Sequence, residues 1–133
     1  MSIKDFAEKF IKAEEEAIHE GKLDALEKLE DPNVVFHFLR DDKEAVGWEA
    51  HKNVILGMRQ HTPGIRVEWK YLTGEGNLFA LSFKSGGARF TGQVPGSPPP
   101  TGKEVTSNTL FVLRVHKGKI AECWSNGTIT GMT

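Results

Sequence analysis

The sequence lacks several features that identify common classes of protein. It holds a single cysteine, Cys123, among 133 residues, which excludes an internal disulfide and fits a reducing, cytoplasmic compartment. No apolar run approaches the length that spans a membrane. The formal net charge is −1, and residues of both signs are mixed without a basic patch. The composition therefore predicts no nucleic-acid partner and no membrane partner.

Proline is also scarce, and four of the six prolines fall within residues 95–100. The stretch around them, GQVPGSPPPTGK, ends in Gly-Lys as a phosphate-binding loop does. That loop requires four residues between its glycines and a hydroxyl after the lysine, whereas five residues separate Gly96 from Gly102, and Glu104 follows Lys103. Three consecutive prolines also remove backbone N–H groups that would hold a phosphate. We therefore predict a stiff connection between two strands.

What the sequence does contain is a change of period along the chain. Apolar residues within 3–18 recur at steps of three and four, which predicts a helix that Ser2 caps and Gly21 ends. KLDALEKLE and GWEAHKNVILGMRQH predict two further helices, and VVFHFL between them predicts a strand. Residues 31–33, Asp-Pro-Asn, should stop the second helix, and residues 41–44 should form a charged, solvated turn.

Beyond Pro63-Gly64, apolar and polar residues alternate as they do in half-buried strands. The predicted strands are IRVEWKY, FALSF, ARFTGQV, KEVTSNTLFVLRVH and KIAECWSN, with turns at 74–76, 86–87 and 117–118. Helices followed by a run of strands predict one α+β domain over residues 1–133, with the N-terminal helices packed on a curved antiparallel sheet.

The proline stretch and the last hairpin resemble a known family. PPPTGKEV followed by LFVLRVHKGKIAECW is similar to the polyketide cyclases typified by SnoaL, and VVFHFL and GWEAHKNVI stand where that family has its first strand and third helix. The resemblance covers roughly residues 5–126. It implies a cone-shaped fold of the nuclear-transport-factor-two type with an internal pocket. Residues 95–101 would either edge the mouth of that pocket or serve as a structural connection without ligand contact.

The resemblance also implies an activity and an assembly. It implies a homodimer that closes the ring of a small hydrophobic carbonyl compound by intramolecular aldol chemistry. It implies neither a metal nor an organic cofactor. It further implies an aspartate beyond the hairpin tryptophan as the acid/base, but no carboxylate follows Glu122 in this chain.

The candidate catalytic residues are therefore chosen from what the chain retains. His37 matches a family histidine on the first strand, and an imidazole titrates near neutrality, so His37 is the predicted acid/base. A buried histidine bonded to the backbone is the structural alternative. Asn126, together with Asn108, is the predicted donor to an oxyanion. Glu122 is interpreted first as a cross-strand partner of Arg114, and second as the next candidate for the base.

Ligand contacts are predicted from large aromatic residues and from polar residues inside apolar strands. These residues are Trp48, Trp69, Phe83, Phe90, Asn108, Trp124 and Ser125. His51 and His61 are predicted to be solvated, and Cys123 is predicted to be a buried structural thiol. No histidine and carboxylate show a spacing typical of metal ligands, so no metal site is predicted. Two functions stay open: a proton-transfer enzyme, and a non-catalytic protein that binds a small hydrophobic ligand.

Overall fold

The structure is a computed structural model that describes residues 1–92 and 98–132. This part of the chain forms three helices and six strands. Their bounds are α1 (Ile3–Glu20), α2 (Asp24–Leu29), β1 (Glu30–Phe38), β2 (Lys43–Val46), α3 (Trp48–His61), β3 (Arg66–Glu75), β4 (Leu78–Arg89), β5 (Glu104–His116) and β6 (Lys119–Thr130).

The ends of α1 follow from local chemistry, as the sequence predicts. The Ser2 side chain accepts the Asp5 N–H, and the Asp5 carboxylate accepts the Ser2 N–H in return, so two backbone donors at the start of the helix are satisfied. Gly21 ends the helix with a left-handed φ of 72°, and its N–H donates to the Ala17 carbonyl. One face of α1 between these ends is buried against the sheet.

The six strands form one sheet in the order β2-β1-β6-β5-β4-β3. The predicted α+β fold, with N-terminal helices on a curved sheet, is confirmed. Neighbouring strands are antiparallel except β1 and β6, which pair in parallel with Phe36 opposite Cys123. The parallel pair arises because the chain leaves β1 and β2, crosses to the far edge through α3, and returns strand by strand to β6.

Strands occupy one predicted chain break and part of another. Helix α2 ends at Leu29, and β1 begins at Glu30, so the Asp-Pro-Asn stretch lies inside β1 rather than after a helix. The charged turn predicted at residues 41–44 is confirmed at Asp41 and Asp42, but the edge strand β2, which pairs with β1, already begins at Lys43. Proline is tolerated because the β1–β6 register shifts between Glu30 and Val35, at an irregular part of the ladder.

A third predicted turn, at Gly86-Gly87, is a bulge within β4. The β4–β5 register shifts between Ser85 and Ala88, and the strand continues to Arg89. Gly87 has a φ of 78°, which suits glycine, and its N–H donates to Glu104 Oε2 at 2.8 Å. The turn predicted at Lys117-Gly118 is confirmed between β5 and β6.

The helices cover one face of the sheet. On α1, Phe6 packs edge-on against Phe79 of β4, and Phe10 packs edge-on against both Phe79 and Trp69 of β3. Aromatic contacts continue from Trp69 to Phe83 and Phe111 across the sheet. The face of the sheet that meets the helices therefore carries the core and, farther along the strands, the wall of a cavity.

Candidate active site

A cavity of about 380 Å³ lies between the helices and the sheet. This volume is within the range of about 300–1,000 Å³ that is typical of small-molecule sites. Its walls are mostly apolar, and they include Phe10 and Ile18 of α1, Phe36 of β1 and Ile55 of α3. Such a cavity suits a small hydrophobic molecule, because its walls offer contact area and few polar partners.

Three titratable side chains meet at the cavity wall, and we call them the inner cluster: Glu14 of α1, Glu30 of β1 and His51 of α3. His51 Nδ1 lies 2.5 Å from Glu30 Oε2, and His51 Nε2 lies 2.9 Å from Glu14 Oε1. The imidazole therefore sits between two carboxylates. The side chains of Glu14 and Glu30 are 4% and 1% exposed, and that of His51 is 14% exposed, so His51 is the most accessible member.

Burial and charge act against each other in this cluster. Burial disfavours a charged imidazole, but the charges and hydrogen bonds of Glu14 and Glu30 outweigh it and raise the pKa of His51 to about 10. Burial raises the pKa of Glu30, although its hydrogen bond to His51 partly opposes the shift. At neutral pH His51 is therefore an imidazolium, and Glu30 takes up a proton more readily than an exposed glutamate does.

The inner cluster also has the residue types of a metal site, since one ligand atom from each side chain lies within 4.8 Å of the others. The carboxylates approach opposite nitrogens of the same ring, however. An ion can bind only one of these nitrogens, so it would leave one carboxylate bonded to the imidazole instead of to the ion. The geometry fits a hydrogen-bonded triad better than a chelate, and the absence of a metal stays a prediction.

Two buried polar atoms at the cavity have no hydrogen-bond partner within residues 1–92 and 98–132. They are Glu30 Oε1 and the indole nitrogen of Trp69. Buried polar atoms are almost always paired with protein, water or ligand. Glu30 and Trp69 both line the cavity, and each has one enclosed polar atom that is unpaired in the described part of the chain.

Comparison with known proteins identifies the family. A model of the SnoaL-like polyketide cyclases matches residues 8–127. The chain belongs to the SnoaL-like polyketide cyclase family. No curated protein matches this SnoaL-like sequence significantly.

Solved structures agree on the fold. AclR of Streptomyces galilaeus, described as a proposed hydroxylase, is 22% identical with a TM-score of 0.74, over 97% of this chain and 80% of that one. IdmH of Streptomyces antibioticus, described as a proposed polyketide cyclase, is 21% identical with a TM-score of 0.72, over 99% and 96%. An NTF2-like protein of Anabaena variabilis is 14% identical with a TM-score of 0.73, over 98% and 92%.

The structure brings three of the predicted ligand-binding residues together. Trp69, Phe83 and Ser125 line the cavity of this SnoaL-like chain. The other predicted contact residues and the predicted oxyanion donor Asn126 are not on the cavity wall: Trp48, Phe90, Asn108, Trp124 and Asn126. Asn108 and Asn126 are exposed, because their side chains leave β5 and β6 on the face opposite Thr109 and Ser125.

The predicted acid/base, His37, lies outside the cavity. Phe36 and Phe38 line the cavity, so the intervening side chain leaves β1 on the opposite face of the sheet. There, His37 Nε2 lies 2.6 Å from Glu122 Oε2 and Nδ1 lies 3.0 Å from Glu44 Oε1, and the ring stacks on Trp124. We call His37, Glu44 and Glu122 the outer cluster. Its catalytic role stays a prediction.

Several further predictions can be compared with the structure. Glu122 pairs with Arg114 across β5 and β6, with Arg114 Nε 3.2 Å from Glu122 Oε1, which confirms the structural interpretation of Glu122. Cys123 is buried, as predicted, and burial raises the pKa of its thiol, so it is an inert group. The prediction that His51 is solvated is wrong, because α3 turns it into the cavity wall between two carboxylates.

The proline stretch is only partly described. Pro95 and Gly96 lie outside the described residues, and Pro98–Thr101 do not line the cavity. No helix within residues 1–92 and 98–132 is long and apolar enough to cross a bilayer. The homodimer and the cytoplasmic location stay predictions.

The residues that sequence reasoning missed had a detectable signal. Glu14 falls in the same three- and four-residue stripe as Phe10, Ala13 and Ala17, so its side chain had to be buried with them. A charged residue in a buried stripe needs a partner. His51 lies three residues after the buried Trp48, which makes it a candidate for that partner on another helix.

Proposed function

We propose that this SnoaL-like chain is an acid–base enzyme that moves protons on a small hydrophobic carbonyl compound and thereby closes a ring. The observation that carries the proposal is the position of His51 between Glu14 and Glu30 at the wall of an apolar cavity. The family and the apolar walls support the class of substrate. The burial of Glu30 supports the chemistry, because it raises the pKa of that carboxyl, and a base that titrates closer to neutrality is more effective in proton transfer.

The inner cluster can take up a proton and keep it close to the ligand. With His51 as an imidazolium, both ring nitrogens hold protons that point to carboxylates. A proton that arrives on either carboxylate stays there beside the imidazolium, because both ring nitrogens already hold protons. The cluster thus works as a single base with two carboxylate ends, and the imidazolium charge limits the repulsion between them.

Ring closure then takes three steps: proton removal, C–C bond formation and return of the proton. A carboxylate of the inner cluster removes the proton from the carbon next to a ligand carbonyl, which leaves an enolate. The enolate carbon attacks a second carbonyl of the same molecule, so a C–C bond forms and the oxygen becomes an alkoxide. The alkoxide takes the proton back from the cluster, which returns to its first state.

Trp69 is the proposed donor to the enolate oxygen. Its indole nitrogen is buried without a partner in the described part of the chain. The ring also packs on Phe10, one helical turn before Glu14, so Trp69 lies close to the helix that carries Glu14. A donor that is fixed before reaction stabilises developing negative charge without reorganisation.

The test is deuterium uptake at carbon in heavy water, with 2-tetralone and a panel of cyclic β-keto esters as ligands. We expect protein-dependent uptake that falls by about a hundredfold or more in His51→Gln, the usual size of an acid–base contribution. His37→Gln is the matched control, since it removes a histidine held by two carboxylates outside the cavity, and its rate should stay within about twofold of the parent.

Binding and folding are followed in the same samples, by ligand titration and circular dichroism. Uptake that survives in a folded, ligand-binding His51→Gln variant would contradict the assignment. Ligands that bind the parent protein without any uptake would instead favour the second function, a non-catalytic pocket of the same fold.

A further inference from the structure

The cavity has a second polar region, away from the inner cluster, where β1 ends and β6 runs towards its last residues. Arg40, just after β1, lines the cavity there, together with Thr109 of β5 and Ser125 of β6. The rest of the cavity wall is mostly apolar, so a cation and two hydroxyls in one place mark a separate subsite.

These side chains converge on Gly127. Arg40 Nη1 lies 3.4 Å from the Gly127 carbonyl oxygen, and Thr109 pairs with Gly127 across β5 and β6. A Cβ on Gly127 would collide with Thr109 Oγ1, so the Thr109 hydroxyl lies directly over this glycine. Ser125 projects from the same face of β6, two residues earlier.

The three polar groups have few partners within the protein itself, although Arg40 is exposed and Thr109 and Ser125 are half-buried. Within residues 1–92 and 98–132, no carboxylate forms an ion pair with Arg40, and its single hydrogen bond is the long one to Gly127. The hydroxyls of Thr109 and Ser125 have no hydrogen-bond partner in the same part of the chain. A guanidinium and two hydroxyls are donors that fit the oxygens of a carboxylate.

The neighbouring charge limits which anion fits. Asp41 also lines this end of the cavity, next to Arg40. One cation beside one carboxylate leaves little net positive charge, so a singly charged carboxylate is favoured over a phosphate with two charges.

The spacing from the inner cluster can be read from β6. Cys123 pairs with Phe36, whose ring centroid is 5.3 Å from that of His51, so this level of the sheet faces the inner cluster. Gly127 lies four residues farther along β6, which corresponds to about 13 Å in an extended strand. A ligand that reached both regions would carry its anionic group at about this distance from the reacting carbon.

We infer that Arg40, Thr109 and Ser125 form a subsite for a carboxylate, and that the natural substrate is a hydrophobic carbonyl compound with an acidic group at its far end. The assignment of the reacting end rests on the proposed function, whereas the subsite itself is a matter of binding. The carboxylate would fix the orientation of an otherwise apolar molecule, so that one particular carbon faces the base.

The experiment uses 2-tetralones that carry carboxyalkyl chains of increasing length, each compared with its methyl ester. Dissociation constants are measured by titration calorimetry for the parent protein and for Arg40→Gln. At the best chain length we expect the acid to bind about tenfold more tightly than the ester, a ratio that should disappear in Arg40→Gln. Thr109→Val should reduce the ratio by about threefold.

Lys43→Gln is the matched control. It also removes one positive charge, but Lys43 lies on the neighbouring strand β2 and does not line the cavity. It should leave the ratio unchanged. Equal binding of acids and esters at every chain length would overturn the inference. The absence of acid binding would also overturn it. So would an equal loss of the acid-to-ester affinity ratio in Lys43→Gln, because the preference would then come from the overall positive charge of the region and not from Arg40.

The two proposals fail separately in this design, because deuterium uptake is followed on the same compounds. If the esters exchange deuterium and the protein does not prefer the acids, the subsite proposal is refuted and the proposed acid–base activity stands. If the protein prefers the acids in a way that depends on Arg40 but no compound exchanges deuterium, the subsite is established and the proposed acid–base activity is refuted.

Discussion

The inner and outer clusters place the same chemistry on opposite faces of one sheet. In each, an imidazole lies between two glutamates with both nitrogens within 3.0 Å of a carboxylate oxygen. They differ in solvent access. In the inner cluster both glutamates are buried, whereas the outer glutamates, Glu44 and Glu122, have side chains 64% and 24% exposed.

Because of this difference in solvent access, the pKa values of Glu122 and Glu30 shift in opposite directions. The hydrogen bond from His37 is the main cause that lowers the pKa of Glu122; burial opposes it, and the hydrogen bond from Arg114 lowers the pKa further. In the inner cluster burial dominates, and it raises the pKa of Glu30 in spite of His51. The same partner therefore produces a firmly ionised surface glutamate on one face and a usable base on the other.

The largest expected difference between the clusters is in stability. Replacing His51 with leucine leaves two buried carboxylates without their cation, which should lower the free energy of unfolding by about 3–5 kcal/mol. His37→Leu removes a partly exposed pair and should lower it by less than about 1 kcal/mol. Urea denaturation at pH 7 measures both, and equal losses would contradict the distinction between the clusters.

A smaller effect is expected from pH. The pKa of His51 is about 10 in the folded state against an ordinary 6.5, so the folded chain binds more protons between these values. Stability from His51 is complete below 6.5 and is lost as the pH rises through about 10. The raised pKa of Glu30 acts in the same direction, because protonation is easier in the folded state.

The free energy of unfolding should therefore fall from pH 7 to pH 9.5, by up to about 1.4 kcal/mol per pH unit for one proton. His51→Leu should show a shallower slope over the same range, and His37→Leu should keep the parent slope. A parent protein whose stability does not change with pH would show that the inner carboxylates do not hold an imidazolium.

Much of the fold was predictable because its signals are local. The period of three and four residues and the caps Ser2 and Gly21 define α1, and the alternation of β5 and β6 with a turn at Lys117 defines the last hairpin. The parallel pairing of β1 with β6 was not predictable in this way, since it depends on the path of the chain across the sheet. Strand β2 has only four residues at an exposed edge, too few for a clear period.

The candidate site was less predictable, because it is assembled from distant parts of the chain. Glu14, Glu30 and His51 come from α1, β1 and α3, and no spacing in the sequence connects them. Resemblance to the family directed attention to His37, but a residue's face on a strand decides its role, and Phe36 and Phe38 occupy the cavity face of β1. The buried stripe of α1 was the better guide, since it contained one glutamate.

The most direct test of the account is the rate of deuterium uptake by 2-tetralone in two glutamate variants, one from each cluster. Glu14→Gln keeps the shape of the inner cluster but removes one of its two carboxylate ends, and Glu122→Gln does the same for the outer cluster. The account predicts a loss of about a hundredfold in Glu14→Gln and less than about twofold in Glu122→Gln, with both proteins folded and able to bind ligand. A parent rate in Glu14→Gln, or a large loss in Glu122→Gln, would contradict it.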